Sequence, residues 1–143
     1  MKLMVINGPN LARLDIRDSS IYGDLNYGEL KSLIEIRAKS SGFDADVRQS
    51  NDEATIISWL HEAADAKMPV IINPAAFTHY SYAIRDAAEL LTAPLIEVHL
   101  SNPMAREEFR HTSVISGVAN GTIAGFGPNS YVLAINALKA LLG

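Results

Sequence analysis

The sequence predicts an α/β protein: a five-stranded parallel sheet with helices on both faces. Two observations predict it. Short apolar runs alternate along the chain with segments of helical period, as strands and helices do in a parallel sheet. The runs at Lys2–Ile6 and Pro69–Ile72 are apolar almost without interruption, the pattern of strands buried on both sides.

Taken in order, Lys2–Ile6 (KLMVI) is a strand that stops at Asn7-Gly8-Pro9-Asn10, a strong turn signal. Leu30, Leu33, Ile34 and Ala38 share a helical face; Asn26 and Glu29 form a capping-box pattern before it, and Gly42 suits its C-terminal stop. Ala45 and Val47 alternate with polar neighbours, as in an edge strand, and Ile56, Ile57, Leu60, Ala63 and Ala64 make the next helical stripe. After the strand at Pro69–Ile72 come a helix from about Ser81 to Leu91, a strand at Pro94–Val98, and another at Thr122–Ala124. Pro128 suits the first turn of a last helix, which is apolar through Leu142. Its apolar residues lie on more than one face, which suggests burial beyond what one sheet covers.

The chain has 143 residues, a single-domain length spanning 1–143, with 48% hydrophobic and 20% charged residues. A net charge of -4 provides no basic field for a nucleic acid backbone or an anionic membrane. The absence of cysteine excludes disulfides, zinc-thiolate sites and cysteine nucleophiles. No stretch approaches the roughly 20 apolar residues of a membrane span, and the opening run is too short for a signal peptide. A soluble, cytoplasmic protein is expected.

Leu11–Asp24 has no clear period and carries Arg13, Asp15, Arg17, Asp18, Ser19, Ser20 and Tyr22; so long a loop in a compact domain reads as an active-site lid at about 11–24. In open parallel sheets, ligands bind beyond the carboxyl ends of the strands. To that edge the first strand brings Asn7 and Asn10, the third Asn73, Thr78 and His79, and the fourth Glu97, His99, Ser101 and Asn102. Arg17, Arg106 and Arg110 fall in loops or turns close by, and arginine forks suit a carboxylate or vicinal hydroxyls. Arg106–Arg110 reads equally well as a solvated turn with internal ion pairs. His61, His79, His99 and His111 lack metal-ligand spacing, so no metal is expected. A phosphoacceptor module would want acids where Asn-Gly-Pro-Asn and Asn73-Pro74 stand. Gly125-Phe126-Gly127-Pro128-Asn129-Ser130 reads as a helix-entry loop, since too little chain follows for a second dinucleotide-binding unit.

Read together, Asn7-Gly8-Pro9-Asn10-Leu11, Arg17, Tyr22-Gly23, Gln49-Ser50-Asn51, Glu53, Ile72–Ala76, Thr78-His79, Ser81, Arg85-Asp86-Ala87, Ile96–Asn102 and Ala105–His111 resemble, in order and spacing, the type II 3-dehydroquinate dehydratases. The resemblance covers essentially the whole chain. It implies a flavodoxin-like fold and a cofactor-free hydro-lyase of the shikimate or quinate pathway, which converts 3-dehydroquinate to 3-dehydroshikimate by anti elimination of water through an enolate. Tyr22 matches the family's proton acceptor, Arg17 the residue assisting it, His99 the proton donor, and Asn10 the residue holding a water against the enolate. Asn73, with the backbone at Leu100 and Ser101, matches the carboxylate site; His79 and Arg110 match contacts to ring hydroxyls. Asp86 matches an acid reaching a neighbouring subunit's site, in a family that assembles trimers into homododecamers. A non-catalytic relative, or one binding another cyclic hydroxy acid, is the alternative.

These roles are physically coherent. A free tyrosine ionises near pH ~10, so a tyrosinate base needs a cation beside it, which Arg17 can provide. Hydroxide leaves poorly, so an acid at His99 is required, and Glu97 could orient its ring; Arg106 supports the same edge. The sequence departs from the family pattern at Asp15, Asp18-Ser19, Tyr80, Met104 and Ser130, and Asp15 adds a carboxylate placed to compete for Arg17.

Overall fold

The computed structural model describes residues Met1–Gly143. Five strands form one parallel sheet: β1 (Lys2–Asn7), β2 (Asp44–Gln49), β3 (Val70–Asn73), β4 (Leu95–His99) and β5 (Gly121–Ala124), in the order β2-β1-β3-β4-β5. This is the flavodoxin-like order, whose switch point lies between β1 and β3, where the chain leaves in opposite directions. Asn7 pairs in register with Asn73 there, so the two strands end side by side.

The helices are α1 (Ser19–Tyr22), α2 (Tyr27–Ser40), α3 (Glu53–Asp65), α4 (Tyr82–Ala88) and α5 (Asn129–Leu142). The pleat sends alternate residues of β1 to opposite faces. Leu3 and Val5 join Leu30 and Ile34 of α2 and Ala134, Ile135 and Leu138 of α5; Met4 and Ile6 join Ile56 and Leu60 of α3 and Ile84 of α4. All these side chains are essentially inaccessible, each removing roughly 1.5–3 kcal/mol of apolar surface energy from water for the larger ones.

Local signals set the element ends. The Asn26 side chain accepts from Glu29 N–H at 2.8 Å while Glu29 accepts from Asn26 N–H at 3.2 Å, completing the capping box of α2. Gly42, at φ +90°, closes the same helix, with Phe43 N–H bonded to Ala38 O at 2.9 Å. β2 is the edge strand the alternation predicts. The helix expected to run to Leu91 stops at Ala88: Leu90 and Leu91 bond back only three residues, to Ala87 and Ala88, before the chain turns toward Pro94.

Segment 11–24 has more structure than its aperiodic sequence suggests. Leu11–Ile16 is a 3-10 segment kinked at Arg13, and α1 follows with Asp18 as its cap. Leu11 and Leu14 are buried in the α2/α5 core, so the segment is anchored at its base while Ile16 stays exposed. Between β4 and β5 the chain makes three 3-10 turns, Pro103–Ala105, Glu108–His111 and Ser116–Val118. α5 leaves Leu133, Leu141 and Leu142 partly exposed, so this chain alone does not cover the helix's second apolar face. No helix is long and apolar enough to cross a membrane.

Candidate active site

The carboxyl ends of β1, β3 and β4 open onto one cavity, lined by Asn10, Arg17, Tyr22, Asn73, His79, His99, Leu100, Ser101, Arg106 and Arg110, with Pro9, Leu11, Ala75, Ala76 and Pro103 completing its wall. Of the residues that the family resemblance or the strand ends brought to this edge, Asn7, Thr78, Asp86, Glu97 and Asn102 are not in the lining. Asp86 is exposed on α4, and Glu97 is buried behind His99.

The β1 loop is built by close approach. Gly8 N–H donates to Asn73 O at 2.8 Å, and a Cβ on Gly8 would stand 2.6 Å from Pro74 O, so only glycine fits. Asn10 sits in the left-handed region at φ 71°, with its N–H donating to Asn51 Oδ1 at 3.0 Å. Gln49 Nε2 bonds Gly8 O and Asn51 Oδ1, both at 3.1 Å, which explains why a Gln-Ser-Asn run at the end of β2 belongs with the site. Farther back, Glu53 accepts from Ser81 Oγ at 2.5 Å while Ser81 caps α4, tying that helix to α3.

One side of the cavity is cationic. Arg17 Nη2 donates to the Tyr22 hydroxyl, and its guanidinium lies over the Tyr22 ring, 3.6 Å from the centroid. Arg106 reaches the same oxygen with Nη2 at 2.6 Å and holds Ser101 Oγ with Nη1 at 3.1 Å; its Nε–H is buried without a partner. Burial pushes the Arg17 guanidinium below its ordinary range, with repulsion from Arg106 and Arg110 adding to it and Tyr22 opposing. The alternatives left open for Arg106–Arg110 divide between the two arginines. Arg106 turns inward to Tyr22, and Arg110 pairs with Glu107 at 2.7 Å while still lining the cavity.

Asp15 does not compete for Arg17. Its carboxylate bonds Arg13 at 3.2 Å, two residues away, where both side chains are more than half exposed. Asp18 accepts from Ser20 N–H at 3.0 Å and Ser20 Oγ at 2.6 Å. Asp15 and Asp18 are therefore both engaged locally. Tyr80 and Met104 are surface side chains, and Ser130, fully buried, accepts from Phe126 N–H at 3.2 Å.

Another part of the lining, His99, stands at the end of strand β4. His99 Nε2–H donates to Glu97 Oε2 at 2.5 Å; a carboxylate only accepts, which leaves Nδ1 as the ring nitrogen free of Glu97. Glu97 also accepts from Thr78 Oγ1 at 2.5 Å, Ser116 Oγ at 2.7 Å and Ser113 Oγ at 2.9 Å. Burial pushes the Glu97 carboxyl up, but the hydrogen bonds from His99, Thr78 and Ser116 outweigh it and hold the group below the usual carboxylate range. His79 Nδ1–H donates to Thr112 O at 2.8 Å, leaving Nε2 as its second ring nitrogen, and His111 Nε2–H holds Arg106 O at 3.0 Å.

Sequence reasoning missed the Ser113 and Ser116 hydroxyls, and it missed Tyr131. The tyrosine lies fully buried below the cavity, where its hydroxyl meets Asn7 and Asn73. Glu97 standing two residues before His99 on a strand, hence on the same face, was the one available hint of a polar partner beneath the site.

Comparisons with known proteins agree with this geometry. The family model "Dehydroquinase class II" matches residues 1–139. A 3-dehydroquinate dehydratase of Mycobacteroides abscessus is 55% identical over 140 residues, covering 98% of this chain and 97% of that protein. A crystal structure of type II dehydroquinase from Propionibacterium acnes superposes with a TM-score of 0.95 at 47% identity, covering 97% of this chain and 96% of that one. A second such structure, from Butyrivibrio crossotus, gives 0.93 at 48% identity and covers 96% and 97%. With whole-chain matches in sequence and in fold, this chain belongs to the class II dehydroquinase family.

Proposed function

We propose that this protein removes water from 3-dehydroquinate to give 3-dehydroshikimate, with Tyr22 as base and His99 as acid. The observation that carries the reading is one phenol oxygen gripped by two guanidinium groups, across a cavity from an imidazole backed by a buried carboxylate. Two guanidinium groups meet the oxygen that would take the proton, and a buried carboxylate holds the ring that would give one. The pair is thus placed to act as base and acid.

The tyrosinate oxygen takes a proton from the carbon beside the substrate ketone, and the electron pair moves onto the carbonyl oxygen as an enolate. Asn10, at the tip of the β1 loop, would hold a water against that oxygen. The enolate then collapses, the β carbon–oxygen bond breaks, and His99 gives its Nδ1 proton to the departing hydroxyl, which leaves as water. Tyr22 ends protonated and His99 neutral; exchange with solvent restores both. The substrate carboxylate would sit against Asn73 and the backbone of Leu100 and Ser101, with the ring hydroxyls toward His79 and Arg110. None of the five lysines lines the cavity, which weighs against a Schiff-base route to the same product.

Segment 11–24 acts in this reading as a lid. It carries Arg17 and Tyr22, and closing it would exclude water and strengthen both charged contacts. The exposed face of α5 suits burial in an assembly, and Asp86, outside its own chain's cavity, suits a role in a neighbour's site. The direct test of function is to add 3-dehydroquinate and follow the ultraviolet absorbance of the conjugated enone. No absorbance change from well-folded protein would sink the assignment.

A further inference from the structure

Beneath the cavity floor a chain of buried polar groups runs from α5 to the ligand-facing side, and its hydrogen-bond directions can be derived. Ala75 N–H donates to Asn73 Oδ1 at 3.1 Å. A backbone N–H can only donate, so the Asn73 oxygen faces Ala75 and its NH2 group faces the other way. That group meets the Tyr131 hydroxyl at 2.9 Å. Tyr131 must accept there, so its single proton goes to Asn7 Oδ1 at 2.5 Å. Asn7 in turn presents its NH2 group away from Tyr131. This Nδ2 and the Tyr27 hydroxyl are buried without a hydrogen-bond partner of good geometry, and the Asn7 amide still partly offsets the rise that burial imposes on the Tyr27 phenol.

Every link has one allowed direction. Tyr131 is completely buried, and burial drives its phenol well above the ordinary tyrosine range, so it stays a neutral donor–acceptor. Ala75 is held in the left-handed region at φ 53°, unfavourable for a residue with a Cβ, and the Asn73 side chain is what receives its N–H there. An amide turned over at Asn73 would set NH2 against N–H and leave Tyr131 facing a carbonyl oxygen. Of the two NH2 protons of Asn73, one serves Tyr131 and the second is left for the cavity that Asn73 lines.

We propose that Tyr131, which does not line the cavity, is a positioning residue that holds in place the Asn73 amide already turned by the Ala75 N–H, so that the floor offers an N–H donor and selects a ligand with an anionic acceptor such as a carboxylate. The inference rests on the dehydratase reading for its substrate and goes beyond it in naming a residue on α5, 58 positions from Asn73, as a support that keeps that subsite's donor in place.

The test is steady-state kinetics with 3-dehydroquinate on Tyr131→Phe, on Asn73→Ala and on the double variant. Tyr131→Phe should raise KM by roughly three- to tenfold, the factor carried by one hydrogen bond, with kcat falling by a smaller factor. In the Asn73→Ala background the same change should leave KM where Asn73→Ala alone put it, since the amide it holds is gone. A 3-dehydroshikimate carboxamide should compete less well than 3-dehydroshikimate itself against the wild type, and Tyr131→Phe should narrow that gap. Should Tyr131→Phe fail to fold, Asn7→Ala probes the same chain from β1: without its acceptor the phenol proton can turn toward Asn73, donor against donor, and KM should again rise. An unchanged KM in Tyr131→Phe, or an equal effect with and without Asn73, overturns the proposal. So does a wild-type preference that survives Tyr131→Phe intact, or, in the fallback, an unchanged KM in Asn7→Ala. A wild-type protein with no dehydratase activity would instead sink the reading of function on which it rests.

Discussion

The two sides of the cavity are built on opposite principles. The side that holds Tyr22 stands on a loop: Tyr22 and Arg17 belong to segment 11–24, both are only part-buried, and Arg106 comes from the turns after β4. The side that holds His99 stands on the sheet: His99 ends β4, and the Glu97 behind it is completely buried and bonded by Thr78, Ser113 and Ser116. Under the proposed mechanism a loop can bring a base to the substrate and withdraw it, whereas a strand holds an acid in one place through the cycle. The difference lies in what surrounds each group: the Tyr22 oxygen meets two mutually repelling guanidinium groups, and the His99 ring meets one carboxylate fixed in hydroxyls.

The harshest break of that comparison removes the base outright. Tyr22→Phe should abolish nearly all turnover while the protein stays folded and still binds product, checked by enone absorbance and by product titration. His99→Ala should cost less, on the order of 10²–10⁴ in kcat, the usual range for one general acid. Near-native turnover in Tyr22→Phe would end the proposed mechanism.

Asp86 tests whether a site is complete within one chain. Asp86→Ala and Tyr22→Phe chains should each be nearly inactive, yet regain activity when mixed and reassembled, because some sites would combine an intact Tyr22 with a neighbour's intact Asp86. A helix-dipole role for Asp86 would give no recovery despite demonstrated subunit exchange.

Two further changes weaken the two sides without removing Tyr22 or His99. Arg17→Ala takes one of the two guanidinium groups from the Tyr22 oxygen, and Glu97→Gln takes the carboxylate from His99; each should lower kcat by less than loss of the residue it serves, read by enone absorbance. Because the folded Glu97 carboxyl is held below its ordinary range, its ionic contribution to stability is present above the usual glutamate range and is lost as pH falls below that range, through the lowered folded value. Glu97→Gln should therefore weaken the acid dependence of the thermal midpoint, measured downward from about pH 5, just above the free glutamate value.

The same contrast explains what could be read from the sequence. β1, β3 and the capping box of α2 are written in local patterns, and the edge where ligands bind follows from strand direction alone. Asn10, Tyr22, Asn73 and His99 stand at positions with recognisable spacing. Tyr131 does not, because a tyrosine inside the apolar stripe of α5 reads as core, and only the fold brings it to Asn73. Ser113 and Ser116 lie in an aperiodic stretch whose hydroxyls acquire meaning only when Glu97 arrives beneath them. The Arg106–Arg110 pattern fitted two readings because the segment holds both an inward arginine on Tyr22 and an internal ion pair, Arg110 with Glu107.

The smallest effect is expected where the sequence suggested trouble. Asp15 near Arg17 reads as a competitor for the cation, and if it were one, Asp15→Gly would free Arg17 and speed turnover. The carboxylate instead pairs with Arg13 at 3.2 Å, with side chains 61% and 51% exposed, an arrangement that solvent screens to little effect. It takes nothing from Tyr22. Asp15→Gly should therefore change kcat/KM by no more than a few-fold, through the added backbone freedom of glycine near the C-terminal end of the 3-10 segment. If Asp15→Gly instead raised kcat/KM well beyond that, and Arg17→Ala cancelled the gain, the carboxylate would be reaching Arg17 during turnover, and the Tyr22 side would be governed by three charges rather than two.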